Sequence, residues 1–314
     1  MRHYISASHC LILILCVFSG LMTLGGCVAI DADGTFDDPQ AAKSGTPAQR
    51  PAQPILADQI DPRPSSGDPR FYVEGKFFFG PIDGYVQTPA GGEPGSTSHN
   101  RPRLGELGIH DAYIGQVTAA GLWGHNEVFG GAEIIRLSGD NTLDSDLVTH
   151  GTTFTAGTSV SSDVSLDWYR IGYRYHFDLL PAANNVPQLL LAPYADAAFW
   201  DFNYDISGGG AHTSRGYIKP TVQLGIQAAW APGGGRFSLA ADLSASPPGI
   251  SSVPFIAAEQ IDARYRFVET GRFSASGLVG VRFEQFNYED NQTVSNHVHA
   301  DLGPMGVVGV VMEF

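Results

Sequence analysis

The sequence predicts an all-β protein: a single closed antiparallel β-barrel of about ten strands, with eight or twelve as alternatives, over residues 68–314. Three observations point there. From Phe71 onward no stretch repeats at the helical period, whereas runs of strand length alternate apolar and polar residues. Turn clusters separate those runs, and short connectors alternate with long ones. Hydrophobic residues make up 43% of the chain, yet no long apolar helix collects them, as expected of a wall with one greasy face.

Residues 1–26 read as a processing segment. Arg2 supplies the positive end. The apolar run from Leu11 to Leu24 is shorter than the roughly 20 residues that span a bilayer, so it fits the apolar region of a signal peptide. It closes on Leu24-Gly25-Gly26-Cys27, which resembles the bacterial lipobox. The resemblance implies cleavage before Cys27 and lipid on its thiol and amine. Val28 follows, where lipoproteins of this type carry Asp when held in the inner membrane, so it implies the outer membrane. The three cysteines are Cys10, Cys16 and Cys27. The first two would leave with the leader, and no internal disulfide is then possible.

Residues 27–67 hold Asp, Ala, Pro, Gly, Gln and Ser without apolar period. Such composition cannot offset the entropy of ordering, so the segment reads as a lipidated flexible periplasmic tether, extended locally by Pro47, Pro51, Pro54, Pro62 and Pro64.

Strands are expected at 70–79, 106–118, 124–137, 162–178, 187–204, 216–231, 235–246, 253–269, 271–287 and 295–314. Tight connectors fall at 121–124, 179–186, 232–235 and 269–271. Longer polar ones fall at 80–104, 138–161, 205–215, 247–253 and 288–295. In the sixth strand Ile218, Val222, Leu224, Ile226, Ala228 and Trp230 share one face, and Lys219, Thr221, Gln223 and Gln227 the other. The seventh and ninth strands divide the same way. The second, third and fifth divide less cleanly, and a bulge is expected in the fifth.

The aromatics orient the wall. Trp123, Phe177, Trp230, Phe237, Phe267, Phe273 and Phe314 are expected near the short-turn ends. Phe79, Trp200, Phe202, Tyr204, Tyr217, Phe255 and Tyr288 are expected near the opposite ends. Two such girdles suit a barrel whose apolar face meets lipid. The last strand places Phe314, Met312, Val310 and Val308 on one face and ends on an aromatic residue. In this it resembles bacterial outer-membrane β-barrels. That resemblance implies that Phe314 helps the barrel-assembly machinery recognise the chain, and that the long loops are extracellular.

With the polar face inward, the lumen would hold Glu74, Lys76, Arg170, Arg174, Asp196, Lys219, Asp242, Asp262, Arg264, Arg266, Arg282 and Glu284, with Glu133 beside them. A ten-stranded barrel is little wider than the eight-stranded size that side chains fill. Unpaired charges there are costly, so a salt-bridged, largely occluded lumen is expected.

Candidate catalytic groups are Asp201, Asp205 and His212 at the third long connector, and His297-Val298-His299. The His-x-His pair shares one strand face, which could suit a metal, but no third ligand follows by spacing. Asp140, Asp144 and Asp146 lack the spacing of a calcium loop. Neither a cofactor nor a metal is expected. A net charge of −14 disfavours nucleic acid. The expected partners are outer-membrane lipids and the barrel-assembly and lipoprotein-sorting machineries, with a monomer favoured. The expected role is structural, surface contact or restricted permeation. A narrow ion or solute channel and a surface-exposed barrel hydrolase (protease or lipid A-modifying) are the alternatives, and no local motif of either enzyme class is recognisable.

Overall fold

The computed structural model describes residues 69–88, 101–180, 187–232, 236–247 and 252–314. The expectations for the leader, Cys27 and the tether lie outside the described residues. Thirteen strands occur among the described residues: β1 Arg70–Gln87, β2 Asp111–Trp123, β3 Asn126–Thr142, β4 Leu147–Thr149, β5 Thr152–Phe154, β6 Ser159–Tyr175, β7 Phe177–Leu180, β8 Gln188–Gly208, β9 Ala211–Ala231, β10 Phe237–Ala245, β11 Phe255–Thr270, β12 Phe273–Glu289 and β13 His297–Glu313. Ten of them form one antiparallel ring in the order β6-β3-β2-β1-β13-β12-β11-β10-β9-β8, and β8 pairs back onto β6 to close it. β7 pairs with the start of β8, and β4 pairs only with β5.

The ring has a turn side and a loop side. β1 begins and β13 ends on the turn side, where Tyr72 faces Glu313. Several boundaries and connectors differ from the sequence expectation: β1, expected to end at 79, runs to Gln87, and the connector expected at 138–161 holds the end of β3 and the β4–β5 hairpin. The second strand starts at Asp111, because Leu104–Leu107 forms a 3-10 turn ending at Gly108 in the left-handed region (φ 78°). The connector expected at 205–215 is a two-residue turn, Gly209-Gly210, with φ of 56° and 81°. Two positive φ values are what a type I′ hairpin turn needs, and the turn lets β8 and β9 run to its edge. The expected bulge in the fifth barrel strand is absent: β8 keeps one register along β9 and β6. The bulges fall instead in β11 near Phe267 and in β13 at Gly303-Pro304, a cis peptide, where the register to both neighbours slips. A proline without an N–H is tolerated at such a break in the ladder.

Alternation holds around the ring. Ile171, Ile218, Leu224, Val279 and Val308 point outward with 45–63% of their surface exposed. Trp123, Phe177, Phe237, Phe267 and Phe314 at the turn-side ends point outward too, 39–52% exposed. Large apolar side chains exposed in a continuous band suit lipid and would be unfavourable in water. The aromatics expected as a loop-side girdle are placed otherwise. Trp200, Phe202, Tyr204 and Tyr288 point inward and are at most 1% exposed, with Tyr217 packed against them. Of that set, Phe79 faces outward, 46% exposed. The error has a physical cause: near the loop side the polarity of both faces inverts. On β6 the inward residues pass from Arg174 and Arg170 to Trp168, Leu166 and Val164, while the outward ones pass from Tyr173 and Ile171 to Asp163 and Ser161.

One apolar core therefore fills the loop-side half of the barrel. Trp200 stacks near Trp168, Phe202, Phe286 and Tyr288 at centroid distances of 4.6–6.1 Å. Two connectors fold over it. The 3-10 turn delivers Leu104, Leu107 and Ile109, and the β4–β5 hairpin delivers Leu147 and Phe154, all at most 5% exposed. The hairpin is held by the Thr149 hydroxyl, 3.0 Å from that of Thr88 and 3.3 Å from that of Tyr204.

Candidate functional site: a charged lumen beneath an apolar plug

The turn-side half of the lumen carries the charges. Inward positions of β1, β11, β12, β3 and β6 bring them together in three groups. Glu74 lies 2.7 Å from the Lys76 ammonium and 3.0 Å from the Arg264 guanidinium, and Asp262 lies 3.6 and 3.9 Å from the same two cations. Glu133 receives both terminal nitrogens of Arg282 at 3.0 and 3.2 Å and the Gln116 amide at 2.8 Å, while Glu284 lies 2.5 Å from Arg282. Glu127 accepts from Arg174 at 2.8 Å and from the Tyr72 hydroxyl at 2.9 Å, and its other oxygen lies 2.8 Å from His176 Nε2. Charge-assisted contacts of this kind are the geometry in which buried ions remain tolerable.

The border between the halves is built from cations on rings. Arg282 lies 4.7 Å from the Phe78 centroid, and Arg174 lies 4.9 and 5.0 Å from Phe129 and Tyr194. Each ring presents its face to a guanidinium and its body to the apolar side. The Tyr194 ring rests over Gly225, where a Cβ would overlap it. Its hydroxyl donates to Asp242 at 2.7 Å.

Not every residue expected in the network is inside a closed pair. Lys219 lies on the apolar side of the border, 5.7 and 5.6 Å from the rings of Tyr217 and Tyr288. Arg266, 1% exposed, lies 3.3 Å from Glu269 near the turn-side end. Asp196 is 5% exposed with both carboxylate oxygens lacking a hydrogen-bond partner. Arg170 lines a cavity that also meets Arg70, Tyr72, Asp242 and Glu313, with a volume of about 180 Å³. Tyr72, Glu127, His176 and Tyr194 were missed by sequence reasoning. Strand parity could have found Glu127 and His176, since they are in phase with Glu133 and Arg174.

The loop-side candidates lie on the outer wall. His212 Nε2 lies 2.8 Å from Asp205, both about half exposed. His297 and His299 share the outward face of β13. His297 Nε2 lies 2.9 Å from the Tyr85 hydroxyl and 3.0 Å from Asn287 Oδ1, and His299 lies 3.0 Å from Asp301. Among the described residues, no group of three His, Cys, Asp or Glu is placed to hold a metal.

A closed even-stranded ring, an apolar outer band with aromatic ends and a polar turn-side lumen define a β-barrel of the outer-membrane class. No family model matches the chain, and no curated protein matches it. Among solved structures it is similar to the outer membrane protease OmpT from Escherichia coli, at 9% identity over 79% of this chain and 97% of that one, with a TM-score of 0.37. It is similar as well to Neisserial surface protein A, at 10% identity over 77% and 95% with a TM-score of 0.27. The transport unit of the autotransporter AIDA-I from Escherichia coli matches at 10% identity over 77% and 89%, with a TM-score of 0.34.

Proposed function

We propose that this protein is an outer-membrane β-barrel lipoprotein that serves envelope structure or surface contact, and that it neither catalyses a reaction nor forms an open pore. It is anchored through Cys27 on the periplasmic side, its loop side faces outward from the cell, and it acts as a monomer among outer-membrane lipids. The lipoprotein-sorting machinery handles Cys27 and the barrel-assembly machinery reads Phe314. The observation that carries the closed reading is the loop-side core, where Phe78, Trp200, Phe202 and Phe286 are each at most 2% exposed. A path for ions would have to displace that packing. The non-enzymatic reading is supported by the Asp205–His212 pair, which stays about half exposed to solvent on the outer wall.

Planar-bilayer conductance tests it. The purified barrel is expected to give no resolved steps, and the double substitution Arg264→Gln/Arg266→Gln is expected to leave that unchanged. Discrete steps in the native protein that shift with the double substitution would overturn the closed reading in favour of a narrow channel. Lipid labelling that survives Cys27→Ala would overturn the anchor.

A further inference from the structure

The turn-side cavity holds charges of both signs that no partner closes. Its volume of about 180 Å³ leaves room for on the order of ten waters or one small molecule. Its lining runs from Arg70 and Glu313 near the strand ends up to Arg282 beneath the apolar core. Arg170, turned inward by β6, makes no hydrogen bond and no ion pair with any described residue, although it is within electrostatic reach of Asp196 and Glu284. Asp242, turned inward by β10, takes the Tyr194 hydroxyl on one oxygen and is in no ion pair among the described residues. Asp196, turned inward by β8, keeps both oxygens without a hydrogen-bond partner at 5% exposure.

Opposite charges confined together normally close on one another, because leaving them apart in a low-dielectric space is costly. Here they stay apart across a space that can hold a molecule. A bare anion at Arg170 would meet Asp196 and Glu284. A bare cation at Asp242 would meet Arg174 and Arg282. A molecule carrying both signs meets neither penalty. Its carboxylate matches the guanidinium fork of Arg170, its ammonium matches the free oxygen of Asp242, and Gln227 and Ser244 offer neutral hydrogen bonds along the same lining.

We infer that this cavity is a binding site for a small zwitterion with a carboxylate and an ammonium group, of amino-acid or dipeptide size, anchored by Arg170 and Asp242. The site depends on lumen geometry alone, not on the lipid anchor or on whether the barrel conducts. Isothermal titration of the detergent-folded barrel tests it, with L-alanine as the probe and acetate and ethylammonium as its separate halves. L-Alanine is expected to give a saturable signal. Arg170→Gln and Asp242→Asn are each expected to weaken it about tenfold or more, as loss of a charge-assisted contact does. Acetate and ethylammonium are each expected to bind at least about tenfold more weakly. Heat-modifiable gel migration checks that each variant folds, and Arg170→Lys, which keeps the charge without the fork, is expected to fall between. Absence of a saturable signal in the native barrel, acetate binding as tightly as L-alanine, or affinity untouched by both substitutions would each overturn the site. If the variants do not fold, the comparison of whole and half molecules on the native barrel decides.

Discussion

Along β8 the outward residues change from Ala195, Ala197 and Phe199 to Asp201, Asn203 and Asp205, while the inward ones change from Tyr194 and Asp196 to Trp200, Phe202 and Tyr204. One strand thus obeys two solvents. A tilted strand crosses the hydrocarbon in about 9–11 residues, and β8 has 21. The turn-side part is greasy outside and charged inside; the loop-side part is a water-soluble barrel with a dry centre. Three directly opposed carboxylate pairs on the outer wall mark the change: Asp83 with Asp301, Asp167 with Asp201, and Asp163 with Asp205. Like charges across a ladder are unfavourable, and they would be far worse in lipid than in water. The comparison teaches that wall polarity in this chain follows height above the membrane, not strand identity.

The largest effect is expected where the soluble half has its centre. Trp200→Ala removes a fully buried ring touching five other aromatics and should cost about 3–5 kcal/mol. Its neighbour Phe199 faces lipid at 52% exposure, so Phe199→Ala should leave stability nearly unchanged. Loss of heat-modifiable migration across a temperature series measures both. Equal loss from the two substitutions would break the division into an inner core and a lipid face.

In the charged half, the question is whether ions or shape hold the lumen. Glu133→Gln strips Arg282 of its bidentate partner beneath the apolar core and should cost roughly 3 kcal/mol. The triple change Glu133→Leu/Arg282→Met/Glu284→Gln removes the whole charged group, Glu284 included because it lies 2.5 Å from Arg282, and should recover most of that loss, since apolar or neutral replacement of buried ions is often near neutral. Urea midpoints of the three proteins measure it, and a triple variant weaker than the single one would show that the ions themselves are needed.

The outer wall gives a smaller contrast at matched chemistry. Leu224→Arg places a charge within the apolar band, at a position 60% exposed, and should cost about 2–4 kcal/mol. Asn203→Arg, outward but beyond the band, should change stability by less than about 0.5 kcal/mol. Folding yields into lipid vesicles compare the two. Similar penalties would place the membrane edge higher on the wall than the inversion does.

Much of this was legible in the residues. Period-2 alternation located ten strands, and Leu224 and Val308 were assigned to the lipid face where the structure places them. The inversion was not legible, because alternation says which residues share a face but not which solvent that face meets. An apolar row such as Trp200, Phe202 and Tyr204 reads as a membrane girdle unless the height of the membrane is known. The same ambiguity made β8 look bulged, since its apolar parity switches midway while its register does not. The Gly209-Gly210 turn was hidden for a different reason. Polar strand ends facing water on their outer side have the composition of a loop. Closed pairs such as Glu133–Arg282 follow from parity and sign, whereas the open space at Arg170 depends on register across strands distant in sequence.

The smallest effect concerns acidity at the loop-side end of β13. Burial, with Arg101 and His299 adding to it against the pull of Glu289, holds the His297 imidazole below its ordinary value. A base whose folded value is depressed binds fewer protons folded than unfolded in the window between the two values. Its contribution is therefore complete above the unfolded value of about 6.5 and is lost as pH falls through that value toward the folded one. Asp301 follows the same direction at lower pH: the His299 hydrogen bond lowers that carboxyl, so this contribution is lost only below the unfolded carboxylate value near 3.9. Between pH 7.5 and 5 the loop-side end should loosen slightly while the turn-side strand ends do not. Amide exchange at Val298 and Ala300, compared with Val310 and Val311, reads this difference directly. His297→Gln, which keeps a donor for Asn287 but does not titrate, should flatten it; a pH dependence unchanged in that variant would assign the loosening to a group other than His297.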